Sequence, residues 1–125
     1  MKVVFLLSPA KTLNFDRIWV EDDSLECRDE TLFPEETGVL LDKLRSFSKG
    51  QLKDLYKASD KIAGLNKERF DGFEALPSLP AALAFDGDAY QTLRSFDMSK
   101  AELEWLNDHL RILSGFYGLI SPLDK

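Results

Sequence analysis

Lys49, Lys53, Lys57 and Lys61 recur every four residues, and Lys67 and Arg69 follow them. Cations at helical spacing suit contact with the phosphates of a polyanion, a chemistry that does not read bases. Gly64 and Asn66 sit inside the run, and a glycine lets a backbone approach a phosphate closely because no side chain intervenes. A second group differs in character. Ser8, Lys11 and Thr12 follow one apolar run, Asp88 and Tyr90 follow another, and Ser114 and Tyr117 flank Gly115 near the end. A lysine, a carboxylate and a phenol gathered at strand ends would bind an anion and support acid-base chemistry on a bound nucleotide or base.

Each set also has a plainer reading. Lysines on a helix face are ordinarily just solvated. Gly64-Leu65-Asn66 is also what a turn between two packed helices looks like. Asp88 suits a helix N-cap, and Tyr90 suits a packing position. Lys11-Thr12 resembles the end of a phosphate loop, but the glycines that make such a loop are missing, so the alternative is a structural loop ordered by Pro9.

The remaining reactive residue types narrow the chemistry. His109 falls on the apolar face of a predicted helix, where a packed, hydrogen-bonded imidazole is expected. Cys27 is the single cysteine, so no internal disulfide forms, and its acidic neighbours disfavour a thiolate. Asp86 and Asp88 without further ligands make a poor metal site, so no metal and no cofactor are expected.

Those residues are carried on 125 positions, the size of one domain, with 44% apolar and 30% charged residues, a globular composition. The net charge is −6, against uniform affinity for nucleic acid, but it is unevenly placed. Residues 16–36 hold nine acids and two bases, whereas residues 43–69 hold eight bases and three acids. No run approaches a membrane span, and the five apolar residues at 3–7 are too few for a signal peptide. A cytoplasmic protein is expected.

The elements needed to position the two groups can be read from pattern. Residues 3–7 form a continuous apolar run, as in a strand covered on both faces. Leu40, Leu44 and Phe47 mark an amphipathic helix over 35–47. Ser48 with Gln51, and Ser99 with Glu102, have capping-box spacing, and Ser59 suits another N-cap. The helix opened by Ser59 is expected to break near Gly64-Leu65-Asn66, with a last short helix over 67–73. Residues 82–85 read as a second strand. The helix after Ser99 is expected to carry Trp105, Leu106, His109, Leu110, Ile112 and Leu113 on one broad face. The fold class is α/β, with a mixed α+β arrangement possible: a small sheet, surrounding helices and an embedded helix-hairpin-helix-like element.

Four segments together resemble the YaaA-like peroxide stress proteins, the UPF0246 family. They are Ser8-Pro9-Ala10-Lys11-Thr12-Leu13, then Ser59-Asp60-Lys61-Ile62-Ala63-Gly64-Leu65-Asn66 with Arg69-Phe70, then Ala84-Phe85 with Gly87-Asp88-Ala89-Tyr90, and finally residues 110–119 with Pro122-Leu123-Asp124. Asn14, Asp86 and Ser121 depart from the family pattern, each removing or reversing a charge near an anion site. Members of the family continue past the Pro-Leu-Asp block with a more basic half, so this chain is expected to correspond to an N-terminal half that needs the other.

The resemblance implies survival of hydrogen peroxide stress, limitation of iron-driven damage, and DNA binding through a helix-hairpin-helix. On that reading Lys61, Lys67 and Arg69 contact phosphates of double-stranded DNA, Lys53 and Lys57 line the flank, and Gly64 and Asn66 form the hairpin. The binding would be weak, non-specific and salt-sensitive. The alternative is a nucleotide- or nucleobase-binding module, with a pocket at Ser8, Lys11, Thr12, Asp88, Tyr90, Ser114 and Tyr117. Whether it is an enzyme stays open.

Overall fold

The computed structural model describes residues 2–17 and 25–125. The chain divides into two compact units, one made of Met1–Pro34 with Ser78–Lys125 and the other of Glu35–Pro77. Among the described residues there are six α-helices and a three-stranded mixed sheet, so the α/β expectation holds.

The sheet lies in the first unit. Its strands are β1 (Phe5–Leu7), β2 (Leu110–Ser114) and β3 (Gly118–Ile120), in the order β1-β2-β3. β1 runs parallel to β2, pairing Leu7 with Ile112, and β2 runs antiparallel to β3, pairing Ile112 with Ile120. Ile112 and Ile120 are buried against Ala81, Phe85 and Tyr90, with Leu7, Ala10, Leu13 and Tyr117 packed around them. Removing a side chain such as that of Ile112 from water stabilises the unit by about 2 kcal/mol.

Two element assignments made from the sequence fail here. Residues 82–85 do not make a strand. Ala81–Ala84 form a short helix after Pro80, and only Phe85 keeps a bridge, to Leu13. Alanines are the best helix formers, and the helix's first amides are satisfied: Ala81 N–H donates to Asp124 O and Ala82 N–H to Pro122 O. The helix after Ser99 also stops early. It spans Lys100–His109 and passes directly into β2, so Leu110, Ile112 and Leu113 belong to a strand. The Arg111 guanidinium caps the helix end by donating to Asn107 O and Leu110 O. Trp105 is therefore exposed, and the half-buried His109 ring stacks on it while bonding Trp105 O.

The expected two-sided cover of the first strand is absent as well, because Phe5 and Leu6 are exposed. Asp88 is likewise not the cap of its helix. Gly87 takes that position, where an added Cβ would lie only 3.0 Å from Ala10 Cβ, and Asp88 opens the first turn of Asp88–Leu93.

The second unit is helical. Most of α1 (Pro34–Arg45) lies in it, followed by α2 (Lys49–Tyr56), α3 (Asp60–Asp71) and a 3-10 turn at Phe73–Ala75. α1 carries Glu35 and Glu36 in its first turn and Lys43 and Arg45 in its last, matching the helix dipole at both ends. Ser48 and Gln51 form the expected capping box, and the Ser59 hydroxyl accepts from Ile62 N–H. The expected break at Gly64-Leu65-Asn66 is not there, nor is a separate helix over 67–73, because α3 is continuous to Asp71. A single interior glycine costs a helix about 1 kcal/mol, which packing readily offsets. The connection between helices falls earlier, at Lys57, Ala58 and Ser59, with Lys57 in the left-handed region at φ 50°.

Candidate functional site

α2 and α3 fold back along each other. Leu52 and Ala63 are fully buried between them and their surroundings, as the spacing of the apolar positions requires. Lys53 Nζ meets Asp60 Oδ1 at 3.1 Å, and the stem of Lys49 lies over Gly64. Lys49 and Lys53 therefore border the seam between the two helices, Lys57 sits at the turn, and Lys61 lies in the first turn of α3. Lys53, Lys57 and Lys61 are all exposed. The hydrogen bond from Lys53 holds the Asp60 carboxyl below its ordinary range, with the ammonium charges of Lys53 and Lys49 acting in the same direction. That end of the unit presents four lysines and two aspartates, Asp54 and Asp60, between positions 49 and 61.

The other members of the predicted DNA-binding set are placed differently. Lys67 donates to Arg45 O at 2.8 Å and pairs with Asp71 Oδ1 at 3.1 Å. Arg45 in turn donates to Phe70 O and pairs with Glu74, whose carboxyl that hydrogen bond holds low. Arg69 is half-buried, and burial pulls its guanidinium below the usual value. Gly64 and Asn66 lie inside α3, half-buried, and do not form a loop that could close around a phosphate. The structure thus groups Lys53, Lys57 and Lys61 with Lys49, and sets Lys67 and Arg69 further along α3.

The strand-end residues of the first unit meet partly. The Tyr90 hydroxyl donates to Ser8 O at 2.6 Å, and Asp86 N–H donates to Thr12 O at 2.9 Å. Ser114 Oγ accepts from Phe116 N–H and Tyr117 N–H, closing the turn between β2 and β3. Tyr90 is buried, and burial pushes its phenol up to about 12. Burial raises Tyr117 too. Neither phenol exchanges a proton near neutral pH. Lys11, Thr12 and Asp88 are exposed at the surface of the same unit. Tyr90, Ser114 and the backbone of Ser8 and Thr12 are engaged in holding loops together.

Sequence reasoning missed the arginines that organise this unit. Arg17 donates to Leu83 O and to Asp86 Oδ1 and lies 4.8 Å from the Phe96 ring centre. Arg28 forms a two-pronged pair with the buried Asp124, at 2.8 and 2.9 Å, which raises the guanidinium further. Asp124 Oδ2 also accepts from Ser121 N–H. The partners lie 69 and 96 positions apart, so no local spacing advertises them. Asp86 carries the Arg17 pair, and Ser121 is buried beside Asp124.

Among the described residues no cluster of three or more His, Cys, Asp or Glu side chains could hold a metal ion. Nor does any described helix have the length and apolarity to cross a membrane.

Residues 1–125 match the family described as peroxide stress protein YaaA. A UPF0246 protein of Ruegeria pomeroyi is 40% identical over 126 residues, covering 98% of this chain and 47% of the relative. One of Rickettsia felis is 36% identical over 122 residues, covering 98% of the chain and 48% of the relative. One of Maricaulis maris is 40% identical over 124 residues, covering 98% and 46%. The chain spans about half the length of the curated relatives it matches. With the match running from the first strand to the final Pro-Leu-Asp turn, the chain belongs to the YaaA peroxide stress protein family.

Proposed function

We propose that this chain serves peroxide stress resistance by binding duplex DNA along the α2–α3 hairpin and so limiting iron-driven damage to it. The observation that carries the reading is the exposed row of Lys49, Lys53, Lys57 and Lys61 beside one helix-helix turn. Ammonium groups at four-residue spacing reach successive phosphates without a sequence requirement. Lys61 adds its charge to the amide-rich start of α3, where an anion is already favoured. The lysines and not the glycine provide the contact in this reading, since Gly64 lies within a helix. Bound protein then screens the backbone from radicals generated where iron meets peroxide.

Anisotropy titration of a short labelled duplex tests the contact. Affinity should fall about tenfold or more between 50 and 200 mM salt, since several counterions are released. Lys53→Glu, Lys57→Glu and Lys61→Glu together should abolish binding, while Lys67→Ala should leave it nearly unchanged. Binding by the triple variant equal to the parent's would remove the hairpin from the reading. A plasmid-nicking assay with ferrous iron and peroxide checks the consequence: the parent protein should slow nicking and the triple variant should not.

A further inference from the structure

The sheet has one dressed face and one bare one. On the dressed face Leu7, Leu110, Ile112 and Ile120 pack into the core, and only Phe5, at the start of β1 on the same side, stays exposed among the described strand leucines, isoleucines and phenylalanine of that face. On the other face, register places Leu6 beside Arg111 and Leu113 beside Leu119. Leu6 is 63% exposed and Leu113 51%. Val4, two residues before Leu6 in the same alternation, is 46% exposed. β1 is also an edge strand: it pairs with β2 on one side, and no described strand pairs with it on the other. A parallel strand with apolar side chains on both faces and an open edge is an arrangement that proteins normally cover.

The relatives indicate the cover. Each of those compared is about twice as long as the part that this chain matches. The geometry points to a polypeptide segment corresponding to the unmatched half of the relatives as the occupant, adding a strand to the open edge of β1 and burying Leu6 and Leu113. Main-chain pairing along Phe5–Leu7 would supply affinity, and the bare leucines would supply an apolar seat. A second copy of this chain is the competing occupant. It is disfavoured because the additional length of the compared relatives is enough chain to cover both the edge and the face within one polypeptide.

The test uses this chain and the unmatched half of the Ruegeria pomeroyi relative, mixed and also joined in one polypeptide. Sedimentation should show a one-to-one complex, and hydrogen exchange at Phe5–Leu7 should slow on mixing. Leu6→Lys with Leu113→Lys should weaken the complex at least tenfold and leave the Tm of the isolated chain unchanged, because both side chains are exposed there. In the joined polypeptide the same pair should lower Tm by several degrees. If the two lysines leave Tm unchanged in the joined polypeptide, the inference is overturned, whether or not the halves meet when mixed. Self-association of the chain alone that those lysines abolish would overturn it in favour of a second copy.

Discussion

In the unit built from Met1–Pro34 and Ser78–Lys125, Arg17 donates to carbonyl and carboxylate oxygens and the surface residue Arg28 is anchored on the buried Asp124 carboxylate, whereas in Glu35–Pro77 Lys57 and Lys61 stand in solvent. The first unit has eight basic and fourteen acidic residues, the second eight of each. The acidic unit nonetheless commits two of its cations to holding loops together. The neutral unit separates its charge: Arg45 and Lys67 are tied into the ends of α1 and α3, and the lysines near the turn are exposed. Net charge alone would assign nucleic-acid contact to neither unit. The distribution of partners is what distinguishes a cation that builds the fold from one available to an anion.

The sharpest break of that contrast is Asp124→Ala. It removes both prongs of the Arg28 pair and the acceptor for Ser121 N–H, from a side chain only 3% exposed. The expected loss is about 2–4 kcal/mol, since a buried charged hydrogen-bond partner is deleted. Lys57→Ala, which removes an exposed cation, should change stability by less than about 0.5 kcal/mol. Urea unfolding of both variants compares them. Equal losses would mean that the two units do not differ in this way.

Alkaline pH probes the first unit through Tyr90. Its phenol ionises at 10.0 when free and at about 12 here, so the folded state holds the proton that the unfolded state gives up. The corresponding stability is complete below pH 10 and is lost as pH rises toward 12, a change of about 2–3 kcal/mol from this group. Tyr90→Phe should cost about 1 kcal/mol at pH 7 through the lost bond to Ser8 O and flatten the alkaline limb of a Tm-against-pH curve. Tyr117, also raised by burial, leaves a residual slope in the variant. An alkaline limb identical in variant and parent would mean that Tyr90 does not hold its proton through this range.

Two glycines carry the comparison into the backbone. Gly118 sits at φ +81°, and a Cβ there would lie 2.6 Å from Phe33 Cδ2. Gly118→Ala should destabilise by about 2 kcal/mol or more, from strain and overlap together. Gly64 is helical, and its added Cβ would meet only the pliable end of Lys49, at 3.2 Å from Cε. Gly64→Ala should therefore stabilise by up to about 1 kcal/mol as Lys49 swings aside. A large loss from Gly64→Ala would restore that glycine to a turn.

Those glycines also show where the sequence was legible. The caps at Ser48, Ser59 and Ser99 could be read directly, because an N-cap is a bond between residues three apart. The family resemblance was legible for the same reason: its motifs are local. What depended on distant partners was not. Ala81–Ala84 is a short apolar run and Leu110–Leu113 is apolar apart from Arg111; both suit either element, and the choice was made by Asp124, Pro122 and the pairing with β1. Gly64-Leu65-Asn66 looks like a turn until α3 is seen to continue through it. The lysine row was legible as a spacing, but which lysines are engaged depends on Arg45 O, Asp60 and Asp71 across the helix pair.

The smallest expected effect sets two matched positions against each other. α2 ends on Lys57 at φ 50°, and the helix Asp88–Leu93 ends on Arg94 at φ 55°, so each unit closes a helix with a left-handed cation. Glycine adopts that conformation without the Cβ penalty, worth about 0.5–1 kcal/mol. Arg94 also pairs with Asp97 and lies 5.8 Å from the Phe96 ring centre. Arg94→Gly should gain the backbone relief and lose those contacts, ending near zero. Lys57→Gly loses no such pairing and should stabilise by about 0.5 kcal/mol, and under the proposed DNA contact it should also weaken binding by one phosphate. Thermal unfolding and the slope of log affinity against log salt read the two consequences separately. A Lys57→Gly protein that gains stability and keeps the parent's salt slope would place Lys57 among the cations that never touch the polyanion.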